Sequence, residues 1–207
     1  MTETGTPGGP VVGDDGLVRC PWASGDPLNR DYHDREWGVP VHGERALLER
    51  ITLEAFQSGL SWLTILRKRP AFRAAFAGFD ADLVAAFTGD DITRLMADAA
   101  IVRNRAKILA TVRNAQATLD VRARGGLDSL VWAHRPQRTD APRSIGDLQP
   151  ETPASRALAR DLRSNGFVFV GPTTAWALMQ AVGLVDDHLV GCHRRGVSGR
   201  LPTAGEP

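Results

Sequence analysis

Cys20 and His33 stand thirteen positions apart near the start of the chain, and His188 and Cys192 stand four apart near its end. A separation of four brings two side chains to the same side of a helical turn. Two thiolates and two imidazoles make a closed tetrahedral donor set suited to one structural zinc ion. The long gap between the pairs means that such an ion would tie distant parts of the chain together, unlike a zinc finger. His193 follows Cys192 directly and competes as a ligand. Spacing alone favours the plainer arrangement, an ordinary imidazole and two buried thiols.

Glu54 interrupts an apolar helical run between Leu53 and Ala55. A carboxylate there is costly to bury without a hydrogen-bond partner. The neighbouring Glu49, Arg50 and Gln57 leave a second possibility open, a polar helix face turned to solvent. Trp22, Tyr32 and Trp62 are aromatic groups able to stack on an electron-poor ring, although core packing is the commoner role of a single aromatic residue. Gly59-Leu60 falls at a helix break, where Leu60 is either a core leucine or an exposed apolar tip able to enter a base stack. Arg103, Arg105 and Lys107 bring local positive charge to the segment from Ala99 to Lys107. The plain alternative there is a turn with a solvated basic face.

These groups must be carried by helices. The apolar spacing predicts a helix over 44–58, a second over 61–67, and a short one over 70–76 with Pro70 in its first turn. Asp80 is a predicted N-cap, and further helices are predicted over 91–99, 105–124, 128–134, 155–165 and 173–182. Residues 135–153 read as a Pro-rich loop, and Phe167–Val170 as a β-prone stretch without a partner. Residues 1–18 and 196–207 read as a disordered extension and a flexible tail around one all-α domain over 19–195. The 25 basic and 24 acidic residues nearly cancel, which argues against polyanion binding by bulk charge but leaves room for a local basic face. No apolar run approaches a membrane span, and the N-terminus lacks a signal-peptide pattern. A cytoplasmic, reducing location is therefore the expectation, with ligated or free thiols ahead of a disulfide.

Arg19-Cys20-Pro21-Trp22 followed by Asp31-Tyr32-His33-Asp34-Arg35-Glu36-Trp37-Gly38-Val39-Pro40 resembles the opening of the bacterial 3-methyladenine DNA glycosylase I family. Leu53–Trp62 resembles its second block, and Phe169–Thr174 with Met179–His188 its third. The likeness runs from about Arg19 to about Arg195. It implies an all-α member of the helix-hairpin-helix glycosylases, with one structural zinc held by Cys20, His33, His188 and Cys192. It also implies that Trp22, Tyr32 and Trp62 line a base pocket, and that Glu54 is the catalytic and base-reading carboxylate, accepting from adenine's exocyclic amine. Leu60 then fills the gap left by a flipped nucleotide, beside Gly59. The segment Ala99–Lys107 becomes the DNA-gripping hairpin, with Arg103, Arg105 and Lys107 toward phosphate. Trp37 is left to the core.

Three positions depart from the family pattern. Ala100 and Ala106 replace hairpin glycines, and Asn29 stands where some members carry an aromatic residue. The implied function is monofunctional hydrolysis of the N-glycosidic bond of 3-methyladenine in double-stranded alkylated DNA, by a monomer that releases the free base. N3-methylation already activates the leaving group, so the enzyme's task is to find, flip and recognise it. Asp120 and Asp128 are read as surface or capping acids, and neither Lys68 nor Lys107 as a Schiff-base nucleophile. A zinc-stapled module that binds DNA or purines without catalysis is the rival from another class. A repair glycosylase with altered base choice, suggested by Asn29, is a third reading.

Overall fold

A computed structural model describes residues 7–138 and 140–199. The chain divides into two compact units, one from residues 41–134 and 151–178, the other from the two ends of the chain together with 135–150. Among the described residues no helix is long and apolar enough to cross a membrane.

In the central unit, α2 (Glu44–Gln57) buries Leu47, Leu48, Ile51, Leu53 and Phe56 along its length. Ser61 caps α3 (Trp62–Ala75) by accepting from Thr64 N. Two short helices were expected here, yet α3 runs unbroken through Pro70. Proline removes one hydrogen bond from the ladder. Burial of Ile65, Arg69 and Phe72 on one face, at helical spacing, outweighs that loss. Asp80 caps α4 (Ala81–Ala85) as expected, and a Thr88–Asp91 capping box opens α5 (Gly89–Ala97). The long helix α6 (Arg105–Val121) packs against α2, α4 and α5, and against α7 (Gly126–Trp132). Thr152 caps α8 (Pro153–Ser164), and α9 is Pro172–Ala181. The β-prone stretch 167–170 forms no strand.

The terminal unit begins before Arg19. Val11–Val12 (β1) pairs antiparallel with Val18–Arg19 (β2), a two-stranded ribbon inside the stretch expected to be disordered. The reason is electrostatic. Arg19 is buried, and its guanidinium bonds the Asp15 carboxylate at 2.7 Å and Asp34 at 2.7–3.0 Å. Asp34 belongs to α1 (Pro27–Arg35), a helix absent from the sequence reading, capped by Asp26 with Pro27 at its first position. Of the expected C-terminal tail, Gly196–Gly199 form turns and Ser198 is buried; residues 1–6 and 200–207 lie outside the described residues.

Gly183 shows how tightly the terminal unit closes. It has φ +75°, and an added Cβ would lie 2.6 Å from Gly38 O, 2.8 Å from Pro40 N and 2.9 Å from Val39 C, all main-chain atoms. Gly183→Ala is therefore expected to destabilise the protein by more than about 3 kcal/mol. Gly59→Ala, with φ +82° but open space around it, should cost only about 1 kcal/mol. Denaturant midpoints of the two variants check the contrast, and equal losses would contradict it.

Candidate functional site

Four side chains of metal-ligating type lie in the terminal unit. Cys20 directly follows β2, His33 lies on α1, and His188 and Cys192 follow α9; all four are buried. The ligand atoms of Cys20, His33 and Cys192 lie within 4.8 Å of one another. His188 falls outside that tight group, with its ring centroid 5.1 Å from that of His33. Each imidazole is oriented by a carboxylate. His33 Nδ1 lies 2.8 Å from Asp34 Oδ1, and His188 Nδ1 lies 3.0 Å from Asp186 Oδ1. That leaves each Nε2 free to serve as a ligand, the usual arrangement of metal-binding histidines. His33 Nε2 faces Cys192 Sγ at 3.4 Å, while His188 Nε2 is buried without a hydrogen-bond partner among the described residues. The hydrogen bond between the two sulfurs, together with His33, pulls the Cys192 thiol down, and the same bond, with burial, pushes Cys20 up.

His193, the competing ligand, instead sits at Val18 O, 2.9 Å away, and its Nε2 is 3.4 Å from Asp34. Trp22 and Trp37 pack on the Cys20–Leu189–Cys192 cluster. Trp22 also meets His33 edge-on at 5.2 Å and lies 6.3 Å from Tyr32, the chain's single tyrosine. Asn29, on the same helix as Tyr32, has a buried Oδ1 without a hydrogen-bond partner.

In the central unit Glu54 is buried within α2, which decides against the solvent-facing alternative. Burial raises its carboxyl to about 8, and the charge of Arg50 one turn away opposes that rise only in part. Three residues later α2 ends. Ser58, with φ −48° and ψ 115°, and Gly59, with φ +82°, form a turn closed by Leu60 N donating to Gln57 O at 2.7 Å. A glycine is needed where the third residue of such a turn takes positive φ. Leu60 is left 41% exposed at its tip, which rules out the core-leucine reading. Trp62 is half-buried in the first turn of α3.

Lys107 does not stand where the sequence reading put it. Its side chain is buried, and Nζ donates to Phe56 O at 2.9 Å and Ser58 O at 2.6 Å, so it caps the end of α2 instead of facing outward to phosphate. Lys68, inside α3, donates to Ala99 O and Ala100 O at 3.0 Å each. It thereby fastens the turn between α5 and α6, a contact nothing in the sequence signalled. In that turn Asp98 accepts from Ala100 N, Asn104 caps α6 through Lys107 N, and Arg103 and Arg105 are exposed. Asp128 accepts from Gly43 N at the start of α2 and meets His42, a capping acid as expected, and Asp120 is at the surface.

Residues 22–195 match the family described as methyladenine glycosylase. The chain belongs to the methyladenine glycosylase family. It is 47% identical over 180 residues to the DNA-3-methyladenine glycosylase 1 of Escherichia coli K12, covering 85% of this chain and 96% of that protein. A crystal structure of a 3-methyladenine DNA glycosylase I superposes with a TM-score of 0.82 at 45% identity, covering 86% of this chain and 99% of the other. The Staphylococcus aureus enzyme, whose structure concerns 3-methyladenine recognition, superposes at 0.81 with 35% identity, covering 86% and 96%.

Within this family member the buried ammonium of Lys107 is the clearest structural demand of the central unit. Lys107→Met keeps the length of the side chain but leaves two carbonyls at the end of α2 without their donor. It should lower stability by about 1–3 kcal/mol. Lys68→Met, at a half-buried counterpart whose two bonds lie near the surface, should cost under about 1 kcal/mol. Urea unfolding of both variants measures this, and a Lys107→Met protein as stable as the wild type would show that the cap contributes nothing.

Proposed function

We propose that the protein is a monofunctional DNA glycosylase that hydrolyses the N-glycosidic bond of 3-methyladenine in alkylated DNA, an early step of base excision repair. The observation that carries the reading is the carboxyl of Glu54, buried inside an apolar helix in a chain of this family. Such a group is destabilising to fold around, and a ligand amine is what would offset it. In the lesion the methylated base is cationic, so the bond to the sugar is already weak. A carboxylate in a dry site favours that cation and accepts a hydrogen bond from the exocyclic amine. Trp22, Tyr32 and Trp62 take the stacking role that the family resemblance gives them. Leu60 is the wedge, on the helix-hairpin-helix plan, with Arg103 and Arg105 toward phosphate. The protein acts as a monomer on double-stranded DNA in the cytoplasm.

Hydrolysis without strand cleavage follows from the lysines. The chain has two, Lys68 and Lys107, and both ammonium groups are bonded to main-chain carbonyls. Neither amine is available to form a Schiff base with the sugar. Incubation with methylated duplex DNA and chromatography of the released bases tests the function. Free 3-methyladenine with an uncut backbone is expected, and no release of base would leave a binding module in place of an enzyme.

Glu54 makes a second, quantitative test. Its folded pKa of about 8 lies above the ordinary 4.5, so folding favours the protonated form, and stability falls as pH rises between those two values. Glu54→Gln removes that penalty. It should be more stable than the wild type by on the order of 1–4 kcal/mol at pH 8, with little difference at pH 4.5. The same variant should bind 3-methyladenine about tenfold or more weakly at pH 8.5, with a smaller deficit at pH 6, where the wild-type carboxyl is itself protonated. Calorimetric titration across that range decides it. Equal affinities at every pH would leave the site without its polar reader.

The proposal includes one structural zinc ion at Cys20, His33, His188 and Cys192. Support comes from the buried Nε2 of His188, from the two carboxylates that fix both imidazoles by Nδ1, and from the thiols packed beside them. A bound zinc would hold both sulfurs as thiolates and join the two ends of the chain in this unit. Elemental analysis of protein purified without chelators should find about one zinc per chain, and His188→Ala should lower Tm while leaving the affinity for free 3-methyladenine within about twofold. Metal-free protein of full stability would remove the zinc from the proposal.

A further inference from the structure

We infer that Phe169 is a second apolar side chain that engages duplex DNA, held in place by Asn114 as the turn bearing Leu60 is held by Lys107. The inference rests on the glycosylase reading and extends its DNA-facing surface.

Phe169 has φ +57°, a left-handed conformation that strains a bulky aromatic residue. Phe79 shares this geometry at φ +59° but is fully buried, so packing offsets its strain. Phe169 has no such compensation, being 45% exposed, with the adjoining Val168 exposed as well. What holds the segment is a two-point clamp. Asn114, buried on α6, donates from Nδ2 to Val168 O at 3.1 Å and accepts from Val168 N at 2.8 Å. Phe167 and Val170 on either side are buried, so Val168 and Phe169 are the part pushed outward.

Asn114 lies seven residues after Lys107, on the same face of α6 and about 10 Å along its axis. One rigid helix face therefore fixes two apolar tips of the central unit, Leu60 and Phe169, each on a positive-φ turn. Two exposed arginines stand near the start of the segment that carries the second tip. The guanidinium of Arg113 lies where a Cβ on Gly166 would meet it at 3.3 Å, and Arg163 closes α8 just before. An exposed aromatic tip on a segment that begins beside an exposed arginine suits a nucleic-acid duplex, with the ring against bases and the arginine toward phosphate.

The test compares Phe169→Ala, Phe169→Gly and Phe169→Trp with the wild type. Binding to a duplex carrying a stable abasic-site analogue is read by fluorescence anisotropy, beside calorimetric binding of free 3-methyladenine. Phe169→Gly suits the backbone, so it keeps the fold if the alanine variant loses stability. Both truncations should weaken duplex binding at least about fivefold, and Phe169→Trp should restore it. Free-base affinity should stay within twofold of wild type. Duplex affinity unchanged in Phe169→Gly overturns the inference, as does an equal loss of free-base affinity. Loss of self-association alone, seen by sedimentation, would assign the tip to a second copy of the chain and also overturn it. A wild-type protein that releases no base but loses duplex affinity on truncation would refute the proposed activity and leave this surface standing.

Discussion

Lys107, Thr111, Asn114 and Thr118 follow one another at intervals of four, three and four along α6, and all four are buried. A polar stripe inside a core is costly unless every group is bonded. Here each finds its partner. The two threonines turn back on their own helix, Thr111 to Lys107 O and Thr118 to Asn114 O. Lys107 and Asn114 reach outward to other segments. The arrangement of the central unit depends on these two pairs of outward bonds, because they seize main chain at places where regular structure has ended or is ending. A hydrophobic contact would tolerate sliding there, whereas paired donors and acceptors fix both position and direction. The end of α2 and the segment before α9 are thus set by the same helix, and so are the residues those segments present.

The terminal unit uses a different principle. It joins segments from opposite ends of the chain and has few helices of its own. A chain of bonded charges runs through it, from Asp15 to Arg19 to Asp34 to His33, and ends at Cys192. Removing one member of a buried set such as this leaves a charge or polar group stranded, which costs more than the intact bond contributes. This accounts for the order found in residues 11–19, whose Gly-rich and polar composition gave no hint of it. The ribbon there is two residues per strand and has little stability of its own. Arg19 holds it.

Local signals that a helix carries within itself were legible. Apolar spacing located α2, α6 and α8, Asp80 announced its cap, and Glu54 stood out as a carboxylate among aliphatic neighbours. What escaped depends on groups far apart in sequence. Lys107 read as surface charge because the sequence does not show that the carbonyls of Phe56 and Ser58 will lie beside it. Asn114 carried no signal at all, since its partner is 54 residues away. Phe167–Val170 read as a β-prone stretch without a partner because β-propensity describes side chains, whereas that segment is shaped by a clamp on its backbone. The helix α3 ran through Pro70 because tertiary burial overrode a local penalty. Asp34 and Asp186 could have been found, as each lies within two residues of a histidine whose Nδ1 needs an acceptor.

The near-neutral balance of 25 basic and 24 acidic residues is reconciled with the proposed DNA-facing surface by where the acids are used. In the central unit Glu49 is occupied by Arg69 and Arg73, Glu44 and Asp82 by Arg122, Asp80 by Arg45, and Asp91 by Arg94. These pairs tie α2 to α3, α4 and the end of α6, and they cancel locally. Among the described residues Arg103, Arg105, Arg113 and Arg163 make no ion pair, and all four are exposed. They flank the α5–α6 turn and the Phe169 segment. A phosphate backbone responds to unpaired cations within about a Debye length, not to the sum over the molecule. Committing many of the carboxylates to structural pairs therefore leaves these four arginines as unpaired surface cations without a basic protein. On the proposed glycosylase reading, such a surface holds DNA through a few contacts while the apolar tips that α6 positions test the stack for a base that leaves it easily.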